Sequence, residues 1–296
     1  MTTRTFIGVP TDSVGRSGGT ELAPAALRAL GMPAAIDARD LEDLDVRIRG
    51  ERRDTESGIV AAPDVLATTS TIRTAVSAAI ERDEQPFLAG GCCSELPGAL
   101  AGARDALGRV GLAYLDGHLD LYDGVTSPTG EAADMPVAVA LGLGPKPWVE
   151  VCDGASIAPT DTAILGYRDL AESLADGMID PDTIDGLTHL DVDAITADGH
   201  GVGARVERAL VSGAGRFWLH LDVDVLDEEV FPATDYLMPG GATWDELMAV
   251  MRPLAASPAL VGLSMGCYNP EKDPNGACGR ALVDAWRELL ASTPTP

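Results

Sequence analysis

The chain has 296 residues, 46% of them hydrophobic, and a formal net charge of −25. That charge excludes a nucleic-acid groove or an anionic-membrane surface as the main function, and no apolar run approaches the roughly 20 residues of a membrane span. The five cysteines (92, 93, 152, 267 and 278) follow no framework spacing, which argues against a disulfide scaffold.

The opening Met1-Thr2-Thr3-Arg4-Thr5-Phe6 lacks the basic-then-apolar pattern of a secretory leader, so a cytoplasmic location is expected. Arg4 to Val9 reads as a first strand ending at Pro10, followed by a loop holding Gly15, Gly18 and Gly19. A helix begins near Ala23-Pro24, and Ala34 to Ala38 reads as a second strand. Residues 42 to 60 are charged and polar and are expected to be an exposed excursion. Pro63 to Arg82 carries Val65, Leu66, Ile72, Val76 and Ile80 at helical spacing. Pro86 to Ala89 is a strand running into Gly90-Gly91-Cys92-Cys93-Ser94, with a helix from Glu95 to Ala106. A strand over 110 to 116 follows, then a loop over 121 to 134 and a helix near Met135-Pro136. Thr162 to Gly166 and Leu187 to Asp191 are strands, and Ala204 to Val211 lies in a helix. Arg216 to Leu221 is a strong strand ending in Asp222-Val223-Asp224. Trp244 to Met251 is helical, Leu260 to Met265 is the last strand, and Ala277 to Ala291 is the closing helix. Alternation of strands and helices predicts a mainly parallel sheet covered on both faces, in a single domain over residues 1–296.

In such a sheet, ligands bind at the carboxyl ends of strands, and the polar motifs sit there. Asp116, His118 and Asp120 follow a strand at i, i+2 and i+4, positions that share a face in an extended chain. Two carboxylates and an imidazole make a ligand set for a hard or borderline divalent metal. A polar loop after a strand would give the same stretch. Asp222 and Asp224 repeat the pattern, however, and aspartates at neighbouring strand ends repel without a cation. Two metals bridged by carboxylates would activate a water and polarise a substrate.

These motifs resemble those of the arginase/agmatinase/formiminoglutamase family, the ureohydrolases. The family's G-G-D-H-S reads Gly90-Gly91-Cys92-Cys93-Ser94, and its D-A-H-x-D reads Asp116-Gly117-His118-Leu119-Asp120. Its S-x-D-x-D-x-x-D-P reads His220-Leu221-Asp222-Val223-Asp224-Val225-Leu226-Asp227-Glu228, followed by Pro239-Gly240-Gly241. Pro10-Thr11-Asp12 with Gly19 to Arg28, and Asn269-Pro270 with Asp273, resemble flanking family segments. The resemblance implies a three-layer α/β/α domain with an eight-stranded parallel sheet and two Mn²⁺ ions, acting on a small-molecule substrate. It also implies a homo-oligomer, a trimer or hexamer. One ion would be held by Cys93, Asp116, Asp120 and Asp222, the other by Asp116, His118, Asp222 and Asp224, with Asp116 and Asp222 bridging. Asp120, Asp134 and Cys267 fall at catalytic positions. Tyr122, Thr129 and Glu131 fall where substrate is held.

The chain departs from the family at several of these positions. Cys93 stands for a histidine and tilts its site towards Zn²⁺ or Fe²⁺; Cys92 stands for the motif's aspartate. Ala133 replaces the histidine that carries protons to the leaving amine, a loss of roughly 10²–10⁴ in rate unless another group such as Asp134 serves. Cys267 replaces the glutamate that pairs with the guanidinium, with Glu95 and Glu131 as candidate substitutes. Tyr122 and Glu131 replace asparagines. The favoured expectation is a hydrolase of a non-peptide C–N bond in a small linear amidine, hydroxyguanidine or amide rather than in arginine. A catalytically silent metal- or metabolite-binding relative is the alternative. A thiol enzyme using Cys93 or Cys267 ranks last, because no obvious histidine base accompanies Cys93 in the sequence. His220 is read as a strand residue, and His189 and His200 as surface or structural.

Overall fold

The computed structural model describes residues 3–13 and 18–291; Gly15 of the expected glycine loop lies outside them. Eight strands make up one sheet: β1 (Thr3–Val9), β2 (Ala38–Asp40), β3 (Glu84–Gly90), β4 (Gly111–Leu115), β5 (Thr162–Tyr167), β6 (Thr188–Asp191), β7 (Phe217–Asp222) and β8 (Leu260–Gly266). Their order is β2-β1-β3-β8-β7-β4-β5-β6 and every pairing is parallel. Helices cover both faces, giving the three-layer α/β/α architecture that the alternating pattern predicts.

Side chains alternate between the two faces along each strand. In β7, Phe217, Leu219 and Leu221 join Leu27, Leu210, Leu254 and Trp286 in one buried cluster, fed by the helices Ala23–Ala29, Gly199–Gly213, Trp244–Ala255 and Ala277–Ala291. Trp218, between them, joins Ile72 and Val76 of Ala62–Glu81, Leu100 of Leu96–Leu107, and Trp148 on the opposite face. Trp286 meets Phe87 edge to face with centroids 4.9 Å apart. Each such side chain, fully buried, contributes about 1.5–3 kcal/mol, and this core fixes the strand ends that carry the polar residues.

Two expectations are corrected. Residues 34–38 do not form the second strand: Met32–Ala35 is a helical turn, and β2 is a three-residue edge strand beginning at Ala38. Pro33 in the first turn and the alanines after it favour the helix. Nor is the segment 42–60 simply exposed, since Val46, Ile48, Ile59 and Val60 are buried in the second cluster. Within it, Arg53 donates to the carbonyls of Gly58 (2.8 Å) and Ser127 (2.8 Å), tying this segment to the loop over 121–134. The apolar residues are too sparse among charges to show a period. The short helices Lys146–Val151, Leu170–Ala175 and Val192–Ala197 were not anticipated.

The sheet order makes β3, β8, β7 and β4 adjacent at its centre, so residues far apart in sequence leave the sheet side by side. Gly91 allows this packing. A Cβ there would lie 1.4 Å from the carbonyl oxygen of Thr11, beyond the end of β1.

Candidate metal centre

Cys93 lies in the turn after β3, Asp116 follows β4, Asp222 ends β7 and Cys267 follows β8. Cys93 Sγ is 2.7 Å from Asp222 Oδ2, 3.6 Å from Asp116 Oδ2 and 3.9 Å from Cys267 Sγ. His118 Nδ1 is 3.3 Å from Asp116 Oδ1 and 3.2 Å from Asp224 Oδ2. Backbone N–H groups orient the carboxylates. His118 donates to Asp116 Oδ1 (2.7 Å), Asp224 to Asp222 Oδ1 (2.9 Å) and Gly117 to Asp224 Oδ1 (3.0 Å).

Three groups of donor atoms lie within 4.8 Å of one another: Cys93, Asp116 and Asp120; Asp116, His118 and Asp224; and Cys93, Asp222 and Cys267. The structure thus brings all six expected ligand positions together. Asp120 joins them by a different route from strand alternation. β4 stops at Leu115, and Asp120 adopts left-handed backbone with φ 51°. A turn carries its carboxylate back, where it accepts the Tyr114 hydroxyl.

The aspartates here are nearly inaccessible: Asp116 is 1% exposed, Asp222 2% and Asp224 3%. Burial, then the charge of Asp224, pushes Asp116 up to about 6. Burial also raises Asp120 and Asp222, with Asp116 adding to the first and Asp224 to the second. Asp224 goes the other way: burial opposes it, but the charge and hydrogen bond of His118 hold it below the usual range. In turn, Asp224 and Asp116 outweigh burial and hold His118 well above its ordinary value. Burial raises the Cys93 thiol. No lysine or arginine is among the described residues lining the cavity above this cluster. Buried carboxylates with one imidazole and two thiols, and no lysine or arginine among the described lining residues to neutralise them, form a donor set that fits divalent cations.

The cavity has a volume of about 410 Å³ and is lined also by Tyr122, Thr129, Ala133, Asp134 and Tyr236. Asp134 accepts from Ser127 Oγ (2.7 Å) and Thr129 Oγ1 (2.5 Å), and burial raises its pKa. The Thr129 hydroxyl is therefore directed at Asp134. Glu131 stands behind the wall and accepts the Tyr236 hydroxyl. Tyr236, which the sequence did not single out, meets His118 edge-on at 6.2 Å. Glu95 is fully buried with no hydrogen-bond partner among the described residues for either oxygen, and it does not line the cavity.

His220 corrects an expectation. It is a β7 residue, as read, but its Nε2 lies 3.2 Å from Cys93 Sγ, so a histidine does accompany that thiol. Burial lowers its pKa to about 3, so the ring is neutral. The signal was present, because His220 and Asp222 are i and i+2 on one strand face. Arg168 was also missed. Its guanidinium donates to the carbonyls of Asp224 (2.7 Å) and Met238 (3.1 Å) and fastens the loop after β7. His189 is half-buried beside the Tyr167 hydroxyl (3.0 Å), and His200 is exposed.

Comparison with known proteins agrees with this arrangement. A family profile described as "Arginase family" matches residues 3–291. The arginase of Staphylococcus aureus strain MRSA252 is 27% identical over 97% of each chain. The arginase of Bacillus caldovelox is 29% identical over 96% of this chain and 97% of its own. The solved structure of the Bacillus caldovelox arginase superposes with a TM-score of 0.89 at 24% identity over the full length of both chains, a likeness of fold. Strand order, the sequence of motifs at the strand ends and a profile match over nearly the whole length agree, and the chain belongs to the arginase family of metal-dependent C–N hydrolases.

Proposed function

We propose that the protein is a two-metal hydrolase that opens a non-peptide C–N bond in a small linear amidine, hydroxyguanidine or amide. The observation that carries this is the convergence of Asp116, His118, Asp120, Asp222 and Asp224 with Cys93 on the floor of one cavity with no lysine or arginine among its described lining residues. Cys93, Asp116, Asp120 and Asp222 would hold one ion. Asp116, His118, Asp222 and Asp224 would hold the other, with Mn²⁺ the expected metal. When bound, the ions supply a Lewis acid and an activated water as the nucleophile.

The remaining chemistry falls to side chains. Asp134 faces the cavity, and its raised pKa equips it to hand a proton to the leaving nitrogen, the task Ala133 cannot perform. Its two hydroxyl partners hold the carboxyl in place. Cys267 supplies no carboxylate to pair with a guanidinium, which favours a less basic reacting group than the guanidinium of arginine. Glu172 and Asp176 are exposed acids on the cavity wall, and among the described lining residues there is no lysine or arginine to receive an anionic tail. Substrates ending in an amine or a neutral group are therefore preferred over those ending in a free carboxylate.

The test is to load the purified protein with Mn²⁺, count ions per chain and screen guanidino, hydroxyguanidino, formimino and amide compounds for product release. Metal-dependent turnover that Asp116→Ala abolishes is expected. Full metal loading with no turnover in any class would overturn the enzymatic reading in favour of a metal-binding protein without catalysis.

A further inference from the structure

Cys93 belongs to two donor groups, one on each side. With Asp116 and Asp120 it faces the positions expected from the strand-end motifs; with Asp222 and Cys267 it forms a second group in which both soft donors lie together. Only the first enters the function proposed above. We propose that Cys267 is itself a metal ligand, and that Cys93, Cys267 and Asp222 form a dithiolate site for a borderline divalent cation such as Zn²⁺, beside the Asp116–His118–Asp224 donors that suit a harder ion. The inference rests on the metal-binding reading of this cavity; Cys93 and Asp222 are shared with the first ion of that reading, so the dithiolate site is an alternative setting for that ion, with a softer donor set, and not a third ion.

Three observations support it. The first is spacing: two thiolates bound at about 2.3 Å to one tetrahedral zinc lie about 3.8 Å apart, and the Cys93 and Cys267 sulfurs are 3.9 Å apart. The second is backbone. Cys267 sits at φ 68°, in the left-handed region that favours glycine, with its N–H bonded to Gly91 O at 2.9 Å. Conformational cost of this kind concentrates at functional sites, and here it holds a sulfur against Cys93.

The third is the shell behind Cys93. Trp218 Nε1 lies 2.8 Å from Ser264 Oγ, and Ser264 Oγ lies 2.7 Å from His220 Nδ1. An indole only donates, so the serine is free to give its own proton to Nδ1. His220 then carries its proton on Nε2, 3.2 Å from Cys93 Sγ, as a donor suited to a thiolate. Such outer hydrogen bonds fix ligands and are worth about 10–100-fold in metal affinity. Two thiolates select a softer cation than manganese. Binding breaks two S–H bonds and forms two S–metal bonds, the two protons pass to solvent, and no oxidant or reductant takes part.

The experiment is a Co²⁺ titration of the full-length protein, stripped with chelator and kept reduced, read by the near-ultraviolet thiolate-to-cobalt charge-transfer band and by protons released. The wild type is expected to show a band of two-thiolate intensity. Cys267→Ser should cut it by about half, and Cys93→Ser with Cys267→Ser should remove it. The fold of each variant is checked by circular dichroism. X-ray absorption of zinc-loaded wild-type protein, which needs no variant, is expected to show two sulfur neighbours at about 2.3 Å. An unchanged band in Cys267→Ser, or one sulfur or none at the zinc, would overturn the inference while Mn²⁺ binding left the proposed function standing. A wild type that takes up neither Co²⁺ nor Mn²⁺ would overturn both.

Discussion

Replacing Tyr114 with phenylalanine removes one oxygen from the layer beneath the candidate metal centre. Tyr114 is fully buried on β4, its ring stacks on His220 with centroids 5.0 Å apart, and its hydroxyl donates to Asp120. Phenylalanine keeps the ring, its volume and the stacking, so packing is unchanged. What is lost is a hydrogen bond to a carboxylate, and in the metal-loaded state that carboxylate is ionised. Such a bond is worth about 1.5–3 kcal/mol, against about 1 kcal/mol for a bond between neutral groups. In the metal-free protein, burial and the charge of Asp116 raise the Asp120 pKa, so its carboxyl favours the neutral form and the loss there is the smaller one. The difference appears in the cation dissociation constant. The difference is about 0.5–2 kcal/mol, so at 1.4 kcal/mol per tenfold change Tyr114→Phe is expected to weaken Mn²⁺ binding by about 2- to 30-fold. Calorimetric titration of stripped protein measures this, with melting curves confirming the fold. An unchanged dissociation constant would show that Asp120 is not a ligand, or that Tyr114 does not hold it.

Asp134→Asn keeps an oxygen to accept from Ser127 and Thr129 but cannot give up a proton as a carboxyl does. Turnover is expected to fall by about 10²–10⁴ with metal content unchanged, and equal turnover would move the proton to another group. In metal-free protein the Asp116 carboxyl binds its proton more tightly folded, at about 6, than at the ordinary 3.8. Its stabilising contribution is therefore full below about pH 4 and lost as pH rises through about 6, about 3 kcal/mol in all at 1.36 kcal/mol per unit. Melting temperatures measured in chelator should fall across that window, and less steeply in Asp116→Asn; equal slopes in the two proteins would sink the argument. Gly91→Ala drives a methyl to 1.4 Å from the Thr11 carbonyl oxygen, so the exits of β1 and β3 must separate. Weaker metal binding and a lower melting temperature are expected together, and wild-type values for both would refute the close approach.

The sequence made the sheet and most of the site legible because both rest on short-range pattern. Strands such as Phe217–Asp222 are apolar runs with a polar end, and paired aspartates at such ends announce themselves. Three features were hidden for different reasons. The three-residue edge strand Ala38–Asp40 pairs on one side only, so it needs no apolar run, and nearby Pro33 and its alanines pulled the reading towards the wrong residues. Asp120 reaches Cys93 through a left-handed turn, which an alternation argument cannot foresee. His220 shares a strand face with Asp222, as its i, i+2 spacing shows, but that Cys267 joins it at Cys93 follows from β8 lying between β3 and β7, an adjacency set by topology and invisible to local spacing.

That adjacency also sets an order of events. β8 is the last strand in the chain but sits in the middle of the sheet, with β3 on one side and β7 on the other. During synthesis, the two halves of the sheet lack their shared neighbour until residues 260–266 have left the ribosome. Cys93 and Asp222, which flank the gap, cannot be brought to their final spacing before then. The cluster of buried charge is thus postponed to the end of folding, when the closing helix Ala277–Ala291 arrives and its Trp286 packs on Phe87 of β3. A nascent chain carries its aspartates as ordinary solvated carboxylates, and only the finished molecule concentrates them in one buried cluster.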